Sequence, residues 1–600
     1  MAEIKQISAL VVLTLIVGIA GVYLVESFPS LLRDDVWVES YSATYHLNGT
    51  LVEEYVYRVE VSGKYRMLYR GWDAPLSQSP LPAPFVALVS YENPPGTVPY
   101  LKDHLGAVWV PEENSSSAVL GFISSNAEPS EVGIYNPSYF QAGTYLVRYV
   151  FSVSPPLEYD NLHVHLNLML ARKHLSYRDV VVRVEAPEGG YIGRIYAHPP
   201  TLKVVNTSGG AYIYGSSPKD QLLEFELLLP ASQLSEIQGF PREVRDVLGS
   251  TERANLLYSL QFTFASGVME GARVFALATP FLLLGLYLSF GRERRFAVSK
   301  YLSFVPNSGL KPWVVNLVFR GDPFVFDENG LYATLLDLHR QGKIRIEDEG
   351  TSIRILDQSS EDNYERRVLE YLADLSEGGV LNVNSVKRRI DRSAASGRYA
   401  SIAAAKRDWS YIARSPNRSI ASRYVSSGRR RVVPLAGIAV ALLVASALGA
   451  FVFEDAAPAL FAASAFSLVA LAECLIAASF PSSLFGRWRK EYYREKLEWD
   501  AFRNFLTDLA MIKKYAPQDI SIWGEWLVYG TALGVGEKVA SVMKELKVNL
   551  PEASYLPGMR LVFRPVIYAS IPQSGGRSTG GFGGGFGGGG GFGGGGAGAR

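Results

Sequence analysis

Four long apolar runs dominate the pattern of hydrophobic and polar positions along the chain. They are Ile7–Val25, Val274–Phe290, Val432–Phe453 and Ala456–Phe480. Each is close to the roughly 17–25 residues that a helix needs to cross the hydrocarbon core of a bilayer. Helices that are apolar on every face are rare in soluble proteins. The pattern therefore predicts an integral membrane protein with four transmembrane helices, at 7–25 within a leader of residues 1–25, and at 274–290, 432–453 and 456–480.

The leader at residues 1–25 has two interpretations, a signal anchor or a cleaved secretory signal peptide. Its apolar run is longer than a usual signal-peptide core, and Gly18–Ala20 offers only a passable cleavage site. We favour the uncleaved anchor. Both interpretations place the residues that follow outside the cell.

The charges beside the apolar runs predict their orientation, because Lys and Arg concentrate at the cytoplasmic ends of transmembrane helices. Basic clusters follow the second and fourth runs and precede the third, whereas acidic residues stand at the opposite ends. A multi-pass cell-membrane protein is predicted, with 26–273 outside and 291–431 and 486–600 in the cytoplasm. The basic residues expected to lie near lipid are Arg292, Arg294, Arg295, Arg429, Arg430, Arg431, Arg487, Arg489 and Lys490.

The region between the first two apolar runs has the two-residue alternation of β-strands. Asn48-Gly49 is a hairpin signal between two of these strands. Residues 26–230 are therefore predicted to form an all-β extracytoplasmic sandwich, and 231–273 a helical stalk. Asn48, Asn114 and Asn206 lie in glycosylation sequons, as suits an exterior region.

The cytoplasmic loop begins with a compact α+β unit at 291–386. Leucines at helical spacing predict a helix at Glu328–Gln341, and two alternating stretches around Gly350 predict a hairpin. A second helix, Tyr364–Leu375, follows. Helix, hairpin and helix together are typical of a winged-helix-like domain.

The remaining cytoplasmic segments differ in composition. Residues 387–431 carry 13 Lys/Arg against 2 acids and form a basic juxtamembrane segment. Residues 486–550 read as a cytoplasmic helical segment. Residues 551–600 lead into a glycine-rich tail with phenylalanines at Phe582, Phe586 and Phe592, which is predicted to be disordered because it has no core to fold around.

Charge and cysteine content narrow the classes of function. The net charge is +1, but residues 26–273 contain 18 Lys/Arg and 27 Asp/Glu, whereas 291–431 contain 25 and 17. A basic cytoplasmic segment is favourable beside the anionic inner leaflet of the membrane. The single cysteine, Cys474, lies within the fourth apolar run, which excludes disulfides and thiolate zinc sites.

Three stretches carry a family resemblance. They are VESYSATYHLNGTLVEEYVYRVEVSGKYRMLYRGW (38–72), LYATLLDLHRQGKIRIED (331–348) and EWDAFRNFLTDLAMIKKYAPQDISIWGEWLVYGTALGVGEKV (498–539). On these motifs the chain resembles the predicted membrane protein family named domain of unknown function 2207, over nearly its whole length. That family has no established activity, so the resemblance implies an architecture rather than a chemistry.

Few residues suggest chemistry. His163 and His165 share one face of a predicted strand, and with His174 they would suggest a metal site, but solvent-facing strand histidines are the favoured interpretation. We therefore predict no metal and no cofactor. Glu473, an acid inside the fourth apolar run, suggests a proton or cation relay, against which a neutral or hydrogen-bonded carboxyl is favoured.

The sequence as a whole favours a non-enzymatic membrane protein with an extracytoplasmic binding or sensing domain coupled to cytoplasmic interaction modules. The expected partners are the lipid bilayer and proteins on one or both sides. Nucleic acid is not expected, because the helix at 328–341 offers few cations. Two alternatives stay open: a membrane-tethered regulator that binds nucleic acid, and an extracytoplasmic metal-dependent enzyme.

Overall fold

The computed structural model describes residues 2–31, 34–186, 192–207, 209–414, 419–515, 518–570 and 592–600. The chain divides into two compact units. The helical unit comprises residues 1–22, 274–441 and 467–581, and the β-rich unit comprises residues 23–273, 442–466 and 582–600.

The strands of the described residues are numbered in chain order. They are β1 (Val36–His46), β2 (Thr50–Val59), β3 (Met67–Gly71), β4 (Leu76–Ser77), β5 (Phe85–Glu92), β6 (Val98–Lys102), β7 (Val108–Trp109), β8 (Glu131–Tyr135), β9 (Gly143–Ser154), β10 (Pro156–Tyr159), β11 (His163–Ala171), β12 (Tyr177–Glu185), β13 (Arg194–His198), β14 (Lys203–Thr207), β15 (Gly210–Ser217), β16 (Leu223–Pro230), β17 (Phe240–Glu243), β18 (Ile344–Glu347), β19 (Ser352–Ile355), β20 (Val380–Asn382), β21 (Val425–Ser426), β22 (Arg487–Trp488), β23 (Phe592–Gly593) and β24 (Gly596–Ala599).

The α-helices of the same residues are numbered likewise. They are α1 (Ala2–Leu31), α2 (Ser117–Asn126), α3 (Val247–Leu286), α4 (Pro312–Phe319), α5 (Glu328–Arg340), α6 (Asn363–Leu375), α7 (Val383–Ala395), α8 (Tyr399–Arg414), α9 (Ala421–Tyr424), α10 (Arg429–Val452), α11 (Ala457–Ser479), α12 (Tyr492–Thr507), α13 (Leu509–Lys514), α14 (Ile520–Ala532), α15 (Gly536–Glu545) and α16 (Tyr555–Tyr568).

The described residues of the β-rich unit form three sheets. Their strand orders are β14-β15-β12-β1-β2-β9-β5-β4, β13-β16-β11-β10-β17 with β23 also beside β11, and β24-β3-β8-β6-β7. Along β2 every second side chain is buried, as a strand with one face on a core requires. One hydrophobic cluster includes residues from all three sheets, among them Tyr55, Leu68 and Phe225. The prediction of a large β-rich region after the first apolar run is confirmed; its first strand starts at Val36, and β17, β23 and β24 extend its sheets with residues beyond 230.

Four helices are long and apolar enough to cross a membrane, as predicted. Among the described residues they lie at Glu3–Phe28, Val247–Gly291, Arg429–Val452 and Glu454–Ser479. The second differs from the prediction. α3 starts at Val247 and continues through the predicted stalk into the apolar run, so stalk and span are one helix of 40 residues with Pro280 inside it.

The start of the predicted stalk is not α-helical. A short 3-10 turn at Ala231–Glu236 precedes β17, which extends the second sheet beside β10. The boundary between β-rich and helical structure therefore lies near residue 246 rather than at 230.

The helical unit contains the predicted helix–hairpin–helix series. The Asp327 carboxylate accepts the Asn329 N–H at the start of α5, and Gly342, with φ of 72°, follows its end. The hairpin β18–β19 is joined by β20 into a three-stranded sheet. The order of elements agrees with the prediction, while the winged-helix-like identity stays a prediction.

The described residues of the basic segment 387–431 are largely folded rather than free. It contains the end of α7, all of α8 and the start of α10. Trp409 and Ile412 of α8 are buried in the core of the helical unit. Part of its positive charge is also engaged, since Arg388 forms an ion pair with Glu377.

The glycine-rich tail differs from its prediction. Residues 592–600 are described, and there β23 pairs in parallel with β11 while β24 pairs antiparallel with β3. The prediction of disorder is therefore wrong for this segment, whereas Phe582 and Phe586 lie outside the described residues. Because both strands belong to the β-rich unit, an exterior β-rich region and a cytoplasmic location for 592–600 cannot both hold.

Candidate functional site

A polar cluster lies on the second sheet where β11, β16 and β13 run side by side. The strand register places Asn167 opposite Glu226, and His198 opposite Glu224. His165 precedes Asn167 by two residues and therefore points to the same face of β11. The sequence thus folds two histidines and two glutamates, from three strands, into one cluster.

Glu226 is the centre of this cluster. Its carboxylate contacts His165 Nε2 and His198 Nε2, each at 3.1 Å, and accepts a hydrogen bond of 2.8 Å from the Asn255 amide of α3. Burial alone would raise the pKa of Glu226, but the hydrogen bonds from His165, His198 and Asn255 outweigh it and lower this pKa to about 2. Glu226 is therefore an anion at neutral pH.

Two neighbouring groups orient the rest of the cluster. The Asn167 amide donates to Glu224 Oε1 at 3.2 Å. The Tyr258 ring meets the His198 imidazole edge-on, with centroids 4.5 Å apart. Glu224, Glu226 and His198 are all buried. Their side chains are held by contacts on several sides, which limits their freedom to rotate.

The cluster forms one wall of a cavity of about 600 Å³. Of the described residues that line it, five carry carboxylates and one a guanidinium, so the cavity has a negative field that attracts cations. One ligand atom each from His198, Glu224 and Glu226 lies within 4.8 Å of the other two, a grouping that could hold a metal ion. The charged lining residues are Glu158, Arg172, Glu224, Glu226, Glu454 and Asp455.

The three histidines singled out in the sequence separate in the structure. His165 joins the cluster, with a side chain only 15% exposed, so the expectation that it faces solvent is wrong. His163 lies at the strand end, 3.8 Å from the Asp160 carboxylate. His174 is buried, and its ring nitrogens contact the backbone carbonyls of Leu175 and Gln221. His174 is therefore no ligand for the same site.

Sequence reasoning missed His198, Glu224 and Glu226. A signal was present in LLEFELLLP (222–230), because two glutamates at alternate positions of an otherwise apolar strand must share one face. Their partner His198 lies on a different strand, and its pairing with β16 could not be read from spacing.

Glu473 is fully buried in α11, and neither of its carboxylate oxygens has a hydrogen-bond partner among the described residues. It packs against α1, where a Cβ added at Gly18 would lie 2.5 Å from Glu473 Oε1. The Glu473 carboxyl group therefore occupies space beside α1 that is available only because residue 18 is glycine.

The predicted lipid-proximal cations divide into two groups. Arg429 forms an ion pair with Asp322 at 2.8 Å, and the Arg431 guanidinium donates to the Phe485 carbonyl at 2.6 Å. These two make contacts within the protein. The others, which are exposed, are Arg292, Arg294, Arg295, Arg430, Arg487, Arg489 and Lys490.

The three sequon asparagines all lie in the β-rich unit. Asn48 and Asn206 are exposed and Asn114 is partly exposed. The Asn48 side-chain oxygen accepts the Thr50 N–H within the β1–β2 turn, so the side chain stands at the surface of a hairpin. These positions suit the predicted modification without testing it.

Family models match most of the chain. The model described as "Predicted membrane protein (DUF2207) N-terminal domain" matches residues 38–229, and its C-terminal counterpart matches residues 298–543. No curated protein sequence matches the chain.

Solved structures give only remote similarity. An M1 zinc metallopeptidase from Deinococcus radiodurans is similar over 32% of this chain and 42% of its own, at 11% identity and a TM-score of 0.19. A mutant of that enzyme bound to a Tyr-Ser-Ala substrate gives 9% identity with the same coverage and TM-score. The chain thus matches less than half of these enzymes, and similarity at this level assigns neither fold nor activity.

Proposed function

The chain belongs to the predicted membrane protein family DUF2207, and we propose that it is a non-enzymatic binding or sensing protein whose β-rich unit receives a small polar ligand. The observation that carries the proposal is the cavity of about 600 Å³ with the Glu226 cluster on its wall. Concave sites with a few convergent polar groups are where proteins usually bind small molecules.

The charges of the cavity indicate which ligands it favours. The buried Glu226 anion and four further carboxylates stand against one guanidinium. A cation or a ligand rich in hydrogen-bond donors therefore gains from entry, whereas an anion would be repelled.

We place residues 26–273 outside the cell and residues 291–431 in the cytoplasm, on the basic flanks of the apolar helices. Binding in the cavity would then be coupled to protein partners of the helical unit. The exposed basic residues around Arg292 and Arg487 would face the anionic inner leaflet.

The two alternatives have less support. Residues 330–338 of α5 are all buried, which leaves that helix unable to enter a DNA groove. For a metal-dependent enzyme, the Glu226 cluster supplies groups that could hold an ion, but a bound ion serves binding as well as catalysis and does not by itself favour a reaction.

The experiment compares small molecules and ions that co-purify with the full chain from its own membranes. Ala254→Trp would fill the cavity, because Ala254 lines it and is exposed. Leu257→Trp is the control, since Leu257 is exposed on the same helix and does not line the cavity. A bound species present in the wild type and the control but absent from Ala254→Trp supports the proposal. Identical extracts from all three proteins would overturn it.

A further inference from the structure

Resting on the proposed function, we infer that the ligand of the cavity is a divalent transition-metal ion, zinc fitting best, held by His165, His198, Glu224 and Glu226. This inference replaces the sequence-based expectation of no metal.

The donor set carries the inference. Imidazole nitrogen and carboxylate oxygen are the ligands that zinc takes in proteins when no thiolate is present. Two imidazoles and two carboxylates give four donors, the number that a tetrahedral site requires. Calcium and magnesium prefer oxygen ligands alone, so two histidines disfavour them.

The distances place three of the four proposed donors close to this geometry. Zinc bonds of about 2.0–2.1 Å in a tetrahedron place neighbouring donor atoms about 3.3 Å apart. Glu226 Oε1 lies 3.1 Å from His198 Nε2, and the other oxygen, Oε2, lies 3.1 Å from His165 Nε2. One donor atom of Glu224 lies within 4.8 Å of His198 and Glu226. His198, Glu224 and Glu226 are therefore already close enough to share an ion, and His165 would have to shift toward them to become the fourth donor.

Groups behind the donors resemble the supports that metal sites use. The other ring nitrogen of His165, Nδ1, lies 3.8 Å from the Glu158 carboxylate. Asn255 and Asn167 donate to the two glutamates at 2.8 and 3.2 Å. Such outer contacts fix ligand orientation, and their loss typically weakens metal affinity by roughly 10–100-fold.

A second observation points to a ligand. His198 is 4% exposed, and its Nδ1 has no hydrogen-bond partner among the described residues. A purely structural network would be expected to satisfy both nitrogens of so deeply buried an imidazole. The described residues alone therefore do not satisfy this imidazole, and a bound ion would supply the partner that one of its ring nitrogens lacks.

The test measures zinc bound by the full chain, purified in detergent, stripped with chelator and dialysed against buffered Zn²⁺. We expect one ion per chain in the wild type. His198→Ala and Glu226→Gln should weaken binding by at least about tenfold. His163→Ala is the matched control, because His163 is on the same strand and face but outside the cluster, and its affinity should equal that of the wild type.

A second measurement separates loss of metal from loss of folding. Zinc should raise the unfolding temperature of the wild type and of His163→Ala but not of Glu226→Gln, since a ligand stabilises only the state that binds it. X-ray absorption at the zinc edge should show nitrogen and oxygen neighbours and no sulfur. Substoichiometric zinc in the wild type, or equal affinity in Glu226→Gln, overturns the inference.

The two proposals can fail separately. A non-metal species that co-purifies with the wild type and is lost in Ala254→Trp, without zinc binding, leaves the binding function standing and removes the metal. Absence of both zinc and any other cavity-dependent species removes both.

Discussion

Arg70 and Glu53 form an ion pair in which both side chains are 0% exposed, with Nε and Oε2 3.0 Å apart. The hydroxyls of Tyr41 and Tyr55 donate to the same carboxylate at 2.8 and 2.9 Å. Burial raises the pKa of both tyrosines well above its usual value, so they remain neutral donors. The guanidinium also lies over the Trp72 ring, 3.6 Å from its centroid. Both charges of this buried pair therefore have partners.

Arg70→Met is expected to destabilise the protein by about 3–5 kcal/mol, because it leaves the Glu53 carboxylate buried without its counter-charge. The measurement is the denaturant dependence of unfolding of the full chain, followed by tryptophan fluorescence. The double variant Arg70→Met with Glu53→Gln should recover part of the loss, since no uncompensated charge remains. A double variant no better than Arg70→Met would show that packing over Trp72, rather than charge, dominates.

Gly18→Ala should destabilise the helical unit by about 1–3 kcal/mol, because the new methyl group would lie 2.5 Å from Glu473 Oε1. Combination with Glu473→Ala should remove most of this effect, and the pair should be strongly non-additive in thermal unfolding. Gly267→Ala is the control, because nothing lies near a Cβ at that position. If the losses of stability caused by Gly18→Ala and Glu473→Ala were additive, the close contact between Gly18 and the Glu473 carboxyl group would be wrong.

Single cysteines should report the orientation of the chain. In a Cys474→Ala background, Ser115→Cys should react with a membrane-impermeant maleimide in intact cells. Ser359→Cys should react only after permeabilisation. Both residues are exposed, so access to the side chain is not limited by the fold. Labelling of the position-359 thiol in intact cells would reverse the predicted orientation.

The pairing of β24 with β3 predicts a specific disulfide. Tyr69 and Gly598 are opposite each other in the register, and a Cβ at Gly598 would point at the Tyr69 ring. Tyr69→Cys with Gly598→Cys should therefore cross-link on mild oxidation of native membranes, in the same Cys474→Ala background. Ser115→Cys with Gly598→Cys should not.

The outcome of that cross-link also bears on the membrane topology. A disulfide would place residue 598 on the same side of the membrane as residue 69, contrary to the cytoplasmic location that the flanking charges predict for the tail. Failure to cross-link, with the control thiols reactive, would leave the tail in the cytoplasm as its flanking charges predict.

Local patterns in the sequence predicted the elements of the fold. The alternation around Tyr55 predicted β2, and the leucines after Asp327 predicted α5, since both depend only on spacing and neighbouring residues. The candidate site depends on more. His198 reaches Glu226 through the order β13-β16-β11, and strand order is set by long-range packing that spacing does not encode. Of the cluster residues that were missed, only Glu224 and Glu226 could have been recognised locally, as alternate glutamates in an apolar strand.

The tail was mispredicted for a related reason. Glycine-rich sequence has no side chains to bury, which favours disorder when the segment is considered alone. In the structure that lack of side chains is what permits docking: a Cβ at Gly595 would lie 1.9 Å from the Gly71 carbonyl, and one at Gly593 would lie 2.2 Å from the Met169 carbonyl. The ordering of residues 592–600 therefore depends on β3 and β11, with which they pair, rather than on the sequence of the tail alone.

The pairing of β24 with β3 has a consequence for biosynthesis. The two strands are separated by roughly 525 residues of chain. At synthesis rates of about 5–20 residues per second, β3 emerges about 25–105 seconds before its neighbour exists. During that interval one edge of β3 has unpaired backbone groups, a state that invites pairing with other chains. The β-rich unit therefore reaches its final form only after the apolar helices have been made, and a nascent chain stalled before residue 592 would present this open edge to whatever chaperone accompanies it.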